Sequence, residues 1–185
     1  MIFATTPSQT VGPYFTIGLP WDDGPHAVSP GTPGAITISG VLFDGAGEPI
    51  PDGLIETWQP DLEGRFADLH GGGGSQPDGF RGFARAATDD DGRYEILTVK
   101  PGAVSGPGGE PQAPHIDVSV FARGLLHRCV TRIYFADEQG SNARDPVLNT
   151  VPSERRKTLL AQPAGDGYRF DIRLQGAGET VFFEL

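Results

Sequence analysis

The chain has 185 residues, which suits one domain with a substantial core. It is rich in glycine (27) and proline (17), but 37% of its residues are hydrophobic and 11 are phenylalanine, which argues against a disordered chain. Its formal net charge of −10 argues against nucleic-acid binding, and no run of about twenty apolar residues predicts a membrane span.

Cysteine usage and the first residues point to one compartment. Cys129 is the single cysteine, so no internal disulfide can form. The opening residues 1–6 lack a basic segment followed by a long apolar stretch, so no signal peptide is predicted. We therefore expect a cytoplasmic protein.

The N-terminal segment, Thr6-Pro-Ser-Gln-Thr-Val-Gly-Pro-Tyr-Phe15, carries two prolines and two adjacent aromatic residues. The prolines favour extended backbone before them, and no apolar period indicates a helix. Tyr14 and Phe15 offer large apolar surfaces to bury. Two interpretations stay open at this point. The segment is an ordered arm against another surface, such as a second subunit, or the two aromatic rings fold back onto their own core.

A loop rich in glycine and proline, residues 18–34, separates this arm from a series of short strands. We therefore divide the chain into an N-terminal arm and loop, 1–34, and one β domain, 35–185. The predicted strands cover 35–43, 54–59, 79–86, 94–99, 115–121, 128–135, 168–174 and 181–185. About eight short strands joined by turns predict an all-β fold of the β-sandwich type.

Two further local patterns complete the predicted fold. Residues 88–93 predict a tight turn in which Asp91-Gly92 supplies the positive φ. The acidic run 89–91 lacks the spaced oxygen ligands of a calcium loop, so it is interpreted as a solvated hairpin tip. Ser153 as N-cap before residues 154–161 predicts one short helix.

The candidate chemistry is sparse. His115 and Asp117 lie two apart on a predicted strand, so both project from one face and could share a metal with two other ligands. The metal signal is weak, since His-x-Asp is frequent by chance, and a polar pair at a strand edge is the simpler interpretation. The other histidines, His26, His70 and His127, lie in loop-like contexts typical of surface residues. Arg132 lies among apolar residues, where an arginine either pairs with a carboxylate of the protein or receives an anionic ligand.

An ordered set of motifs now covers nearly the whole chain. The motifs are the arm sequence 6–15, Gly40-Val-Leu-Phe-Asp44, Ile55-Glu-Thr-Trp-Gln59, Thr88-Asp-Asp-Asp-Gly-Arg-Tyr94, Thr98-Val-Lys-Pro-Gly102, Pro114-His-Ile-Asp117 and Tyr168-Arg-Phe-Asp171. Together they resemble the intradiol ring-cleavage dioxygenases. The resemblance implies a β-sandwich whose catalytic members open an aromatic diol between its hydroxyls, using non-haem Fe(III) and O2.

Members that bind Fe(III) hold it with two tyrosines and two histidines, and this chain departs from that pattern. The Gly-Arg-Tyr motif reads Gly64-Arg-Phe66, the tyrosine after Lys-Pro-Gly-Pro falls at Val104, and His-Ile-His reads His115-Ile-Asp117. Only His115 matches, and neither Phe66 nor Val104 has an oxygen to donate. The resemblance therefore implies a subunit that binds no metal, with the Fe(III) held by a homologous beta subunit.

The resemblance also implies a shared active site. Gly12 and Pro13 of the arm would line the substrate pocket beside the partner's iron, and Arg132 would meet the carboxylate of an aromatic diol acid. This favours the intersubunit interpretation of the arm and a ligand-binding role for Arg132. Two alternatives remain: a self-sufficient dioxygenase with an unusual metal set, and a β-sandwich interaction module without enzymatic function.

Overall fold

The computed structural model describes residues 7–10, 12, 14–67, 79–106 and 108–184. Short β-strands dominate this part of the chain, so the predicted all-β fold is confirmed. The strands are β1 (Ala35–Phe43), β2 (Leu54–Trp58), β3 (Phe83–Ala87), β4 (Arg93–Val99), β5 (Val104–Ser105), β6 (Pro111–Gln112), β7 (His115–Phe121), β8 (Cys129–Phe135), β9 (Leu160–Ala164), β10 (Gly167–Arg169) and β11 (Ile172–Arg173).

Two half-sheets make up the fold. In the first, β1 pairs antiparallel with β4 on one side and parallel with β10 and β11 on the other. In the second, β3, β2, β7 and β8 follow one another in antiparallel order. Strand β9 connects the halves, because it pairs first with β8 and then with β10. A short ribbon of β5 and β6 stands apart from both.

The core lies between the inner faces of the two half-sheets. Alternate residues of each strand point inward, as the period of two in a strand requires. The apolar core cluster includes Ile38, Leu42, Ile96 and Ile172 from the first half and Ile55, Ala84, Val118 and Ile133 from the second. Burying a valine, leucine or isoleucine side chain contributes about 1.5–3 kcal/mol to the stability of the fold. The outer face of the second half-sheet remains available for a site.

The predicted strand 168–174 is divided in two by a local break. Phe170 N donates to Ser39 O at 2.8 Å, but the next link is made by a side chain, because Val41 N donates to Asp171 Oδ1 at 3.0 Å. A carboxylate thus replaces a ladder carbonyl, and β10 ends before β11 begins. The Tyr94 hydroxyl donates to Phe170 O at 2.6 Å and fixes the break from the neighbouring strand.

Gly40 lies directly against this break, and a side chain there should destabilise the fold. A Cβ at residue 40 would overlap the Phe170 carbonyl and lie 2.9 Å from the Tyr94 ring. We expect Gly40→Ala to lower the free energy of unfolding by about 2–3 kcal/mol in urea titrations. Gly140→Ala is the matched control, because a Cβ there meets no atom within 4 Å, and its effect should stay within about 0.5 kcal/mol. Equal stabilities of the two variants would contradict the predicted overlap.

The N-terminal segment differs from the sequence prediction in one respect. A single helical turn, α1 (Tyr14–Gly18), begins at its end, where no helix was predicted. One turn needs only one inward residue, so it leaves no apolar period in the sequence. That residue is Phe15, which is 3% exposed, whereas Tyr14 and Ile17 are 76% and 75% exposed. Phe15 therefore folds onto its own chain, while Tyr14 remains available to another surface.

The predicted helix 154–161 is wrong in extent. Only Arg156–Leu159 is helical, as a 3-10 turn, and Leu160 and Ala161 begin β9 by pairing with the end of β8. Pairing with a neighbouring strand outweighs local helix propensity here. The other helical segments of the described chain are α2 (Gln139–Asn142) and the 3-10 turn Leu148–Thr150. None of the described helices has the length and apolar character that crossing a membrane would require.

The acidic turn after β3 is present, but the predicted hairpin tip is wrong, because β3 pairs with β2 whereas β4 pairs with β1. Gly92 adopts φ +71°, and the Asp89 carboxylate accepts hydrogen bonds from Asp91 N and Arg93 N. Strands β3 and β4 belong to different half-sheets, so this turn carries the chain from one sheet to the other. The predicted last strand, 181–185, makes only an isolated bridge between Phe183 and Val130 in its described part.

Candidate functional site

A groove of about 480 Å³ lies on the outer face of the second half-sheet. Strand register sets its floor, since Phe83, Trp58, Asp117 and Arg132 are aligned across four adjacent strands. Their side chains share a face because they occupy paired positions. The floor therefore passes from two aromatic rings to an ion pair.

A second row of side chains beside this floor, Glu56 and Arg85, holds the segment that follows α1. Glu56 Oε1 and Arg85 Nη2 form an ion pair at 2.5 Å, with both side chains mostly buried. The Arg85 guanidinium lies 5.0 Å from the centre of the Trp21 ring, and its Nη1 donates to Leu19 O at 3.1 Å. Trp21 stacks on Phe83 with ring centres 6.2 Å apart. The chain between α1 and β1 is thus attached to the edge of the groove.

Arg132 is already engaged within its own chain. Its Nε lies 2.9 Å from Asp117 Oδ1, and its Nη1 donates to Gln112 Oε1 at 2.7 Å. Burial acts to lower the pKa of Arg132, but the Tyr134 hydroxyl and the charge of Asp117 outweigh it and raise this pKa. The carboxylate pairing considered from the sequence is therefore present. The contacts with Asp117, Gln112 and Tyr134 do not use all five N–H groups of the guanidinium, so others are left for a ligand.

His115 and Asp117 share the outer face of β7, as their spacing predicted. The His115 ring is buried, its Nδ1 donates to Ala113 O at 2.7 Å, and it packs against Tyr134 with ring centres 5.7 Å apart. Burial, together with the charge of Arg132, lowers the pKa of His115. Asp117 turns instead to Arg132, so the two residues do not act as a simple pair.

A buried carboxylate that sequence reasoning missed supports this end of the groove. Asp145 accepts hydrogen bonds from Ala113 N at 2.8 Å, Leu148 N at 2.7 Å and the Tyr134 hydroxyl at 3.0 Å. Burial raises the pKa of Tyr134, which keeps its hydroxyl a donor. The available signal was the Asp145-Pro146 step, because an aspartate before proline often begins a turn by accepting backbone N–H groups.

The two positions that lack a donor atom lie at the sides of the same region. Phe66 stacks on Trp58 with ring centres 6.0 Å apart, and its loop is held by Asp61, which accepts from Arg65 N and Nε. Val104 pairs with Gln112, the residue that accepts from Arg132. Of the four positions implied as metal ligands, Asp117 contacts Arg132 directly, and Val104 pairs with the Gln112 that accepts from Arg132. Phe66 is linked only through Trp58, the cross-strand partner of Asp117.

These residues do not fit Fe(III). Phe66 and Val104 supply no ligand atom, and Asp117 is occupied by a guanidinium. Elsewhere in the described ranges, no three His, Cys, Asp or Glu side chains are grouped closely enough to hold a metal ion. His70 lies outside those ranges.

The arm lies against the loop after β7. Gly12 adopts φ +64° and its N donates to Thr10 Oγ1, which also accepts from Gly124 N, each at 3.3 Å. Pro13 lies outside the described residues. The arginine next to this contact is Arg123, whose side chain is 64% exposed and pairs with Asp52 at 3.0 Å. Sequence reasoning missed Arg123, although it directly precedes the glycine that contacts the arm.

Comparison with known proteins shows to which family the chain belongs. Residues 10–176 match the family Dioxygenase_C, described as dioxygenase. The chain belongs to this family, and the resemblance to ring-cleavage dioxygenases is confirmed. It is 42% identical to the protocatechuate 3,4-dioxygenase alpha chain of Pseudomonas putida, covering 97% of this chain and 96% of that one. It is 44% identical to the alpha chain of Burkholderia cepacia, covering 97% of each.

More distant members of the family define the common fold. The beta chain of the Burkholderia cepacia enzyme is 34% identical over 78% of this chain and 66% of its own length. The dioxygenase domain of a carbohydrate-binding fusion from Streptomyces sp. SirexAA-E superposes with a TM-score of 0.53 at 29% identity, covering 94% of this chain and all of that one. Catechol 1,2-dioxygenase from Acinetobacter sp. ADP1 superposes at 0.59 and 18% identity, over 83% of this chain and 58% of that one, which concerns the fold alone.

Proposed function

We propose that this chain is the metal-free alpha subunit of a protocatechuate 3,4-dioxygenase. The observation that carries the proposal is its identity of 42–44%, over 97% of its length, to chains named as alpha subunits. The residues at the implied ligand positions agree with it, because Phe66 and Val104 cannot bind Fe(III). The same chemistry counts against a self-sufficient dioxygenase with its own iron.

The proposed partner is a homologous beta subunit that holds the Fe(III). Beta chains belong to the same family as this chain and share 34% identity with it in one relative. The assembled enzyme would cleave 3,4-dihydroxybenzoate between its hydroxyls with O2 and give 3-carboxy-cis,cis-muconate. In this division, the present chain binds and orients substrate at the subunit boundary.

The arm supplies the proposed contact with the partner. Tyr14 and Ile17 of α1 are exposed apolar residues on the segment that carries Gly12 and Pro13, which suits burial against a second subunit. Gly12 and Pro13 would line the substrate pocket, and Arg132 would bind the carboxylate. Arg123 is the competing arginine, because the arm contact at Gly124 brings it next to the arm.

Expression of the chain alone and together with the beta chain tests the proposal. The isolated chain should contain no stoichiometric iron and should not cleave the ring, whereas the co-expressed pair should co-purify, contain iron and consume O2 with 3,4-dihydroxybenzoate. Elemental analysis, size-exclusion chromatography and oxygen uptake provide the measurements. One iron per isolated chain, with tyrosinate-to-iron absorption, would contradict the proposal. A chain that never assembles with the beta subunit would favour a separate interaction module.

A further inference from the structure

The Arg132 guanidinium already has an anion beside it on the groove side. Asp117 Oδ1 lies 2.9 Å from Arg132 Nε, and both residues line the groove. The Asp117 side chain is 40% exposed, whereas the Arg132 side chain is 20% exposed. A ligand carboxylate that enters the groove and approaches this guanidinium therefore meets a carboxylate of the protein next to it.

Two uncharged contacts hold the guanidinium in place. Gln112 reaches it from the β5–β6 ribbon, where the amide Oε1 of this buried side chain accepts from Arg132 Nη1 at 2.7 Å. The hydroxyl oxygen of Tyr134 accepts from the same guanidinium, and this hydroxyl donates to Asp145 at 3.0 Å. Arg132 should therefore keep its position when Asp117 loses its charge.

Two carboxylates that share one guanidinium repel each other, and this repulsion is strong where water is partly excluded. The negative charge of Asp117 balances the single positive charge of Arg132, so a ligand carboxylate gains less from this guanidinium than from an unpaired one. The neighbouring ion pair of the outer face, Glu56 with Arg85, is balanced separately. A ligand without a carboxylate does not take part in this competition.

We infer that Asp117 is a specificity-determining residue, which competes with the ligand for Arg132 and lowers the affinity of the groove for aromatic carboxylates. The inference rests on the proposed function, because it takes Arg132 as the group that binds the substrate carboxylate. Asp117 acts through Arg132 and has no role in the chemistry of ring cleavage. Removal of its charge should therefore raise the affinity for a carboxylate while it lowers the stability of the chain.

Kinetics of Asp117→Asn in the co-expressed complex test the inference. We expect the KM for 3,4-dihydroxybenzoate to fall about three- to tenfold, with kcat changed by less than about twofold. The inhibition constant of benzoate, which has the carboxylate but no diol to cleave, should fall by a similar factor. The KM for catechol should change by less than about twofold. The isolated variant chain should unfold about 3 °C lower, because Arg132 loses its compensating charge.

Glu184→Gln is the matched control for the change of charge. Glu184 also lines the groove, but it forms no ion pair with Arg132 within the described part of the chain. Removal of its charge should change the KM for either substrate by less than about twofold. Asp117→Ala repeats the measurement with a side chain that cannot accept from Arg132, and the KM for 3,4-dihydroxybenzoate should again fall.

The outcomes separate this inference from the proposed function. An active complex in which both Asp117 variants leave the KM for 3,4-dihydroxybenzoate unchanged or raise it would overturn the inference. An equal fall with Glu184→Gln, or an equal fall for catechol, would also overturn it. If neither Asp117 variant assembles with the beta subunit, Asp117 has a structural role and the inference is wrong. An unmodified pair that assembles but does not cleave 3,4-dihydroxybenzoate would contradict the proposed function instead.

Discussion

Replacing Asp145 with alanine should lower the free energy of unfolding by about 3–5 kcal/mol. The carboxylate is fully buried and accepts three hydrogen bonds, from Ala113 N, Leu148 N and the Tyr134 hydroxyl. Its removal leaves three buried donors without an acceptor, and each such group costs about 1–3 kcal/mol. Urea titration of the isolated chain, followed by tryptophan fluorescence, provides the measurement.

Two further variants give this prediction its controls. Asp145→Asn keeps one acceptor oxygen but presents an NH2 group to the same donors, so its loss should be intermediate. Asp90→Ala removes an exposed carboxylate from the acidic turn and should change stability by less than about 0.5 kcal/mol. A stability of Asp145→Ala within 1 kcal/mol of the unmodified chain would show that water replaces the lost acceptor.

The strands were predictable because their inward residues alternate. Ala35–Phe43 and His115–Phe121 have the predicted bounds, since both carry a period of two between clear turns. The break between β10 and β11 was not predictable, because it depends on Asp171 reaching Val41 N, 130 residues away. The helix predicted after Ser153 failed for a similar reason, because strand pairing decides the conformation of Leu160.

The candidate site shows the same division between local and long-range information. Sequence spacing placed His115 and Asp117 on one face, since this follows from strand geometry alone. The partners of Arg132 depend on register between β7 and β8 and on the position of Gln112 in a separate ribbon. No local pattern records such register, so the pairing of Arg132 with Asp117 stayed one of two alternatives. Arg123 became a candidate only from the structure, because its neighbour Gly124 donates from its backbone N to Thr10 of the arm.

Arg132 and Arg123 are the two candidates for binding the substrate carboxylate in the assembled enzyme, and each leads to a different expected result. Arg132 lies in the groove and contacts Asp117, Gln112 and Tyr134 of its own chain. Arg123 is exposed beside the arm and pairs only with Asp52 among the described ion pairs. In the proposed complex, a substrate carboxylate would pair with whichever of the two guanidinium groups faces the bound substrate. Catechol lacks that carboxylate, so it reports general damage to the enzyme without reporting the ion pair.

We expect Arg132→Ala in the co-expressed complex to lower kcat/KM for 3,4-dihydroxybenzoate by about ten- to a hundredfold, because an ion pair in a partly desolvated pocket contributes about 1.5–3 kcal/mol. Arg132→Lys should recover only part of the loss, since an ammonium cannot form the bidentate contact. Activity on catechol should change little, and size-exclusion chromatography should show an intact complex.

Arg123→Ala is the matched variant for this experiment. If it alone produces the carboxylate-specific loss, Arg123 binds the substrate and Arg132 serves its own chain. Equal losses on both substrates would assign Arg132 a structural role.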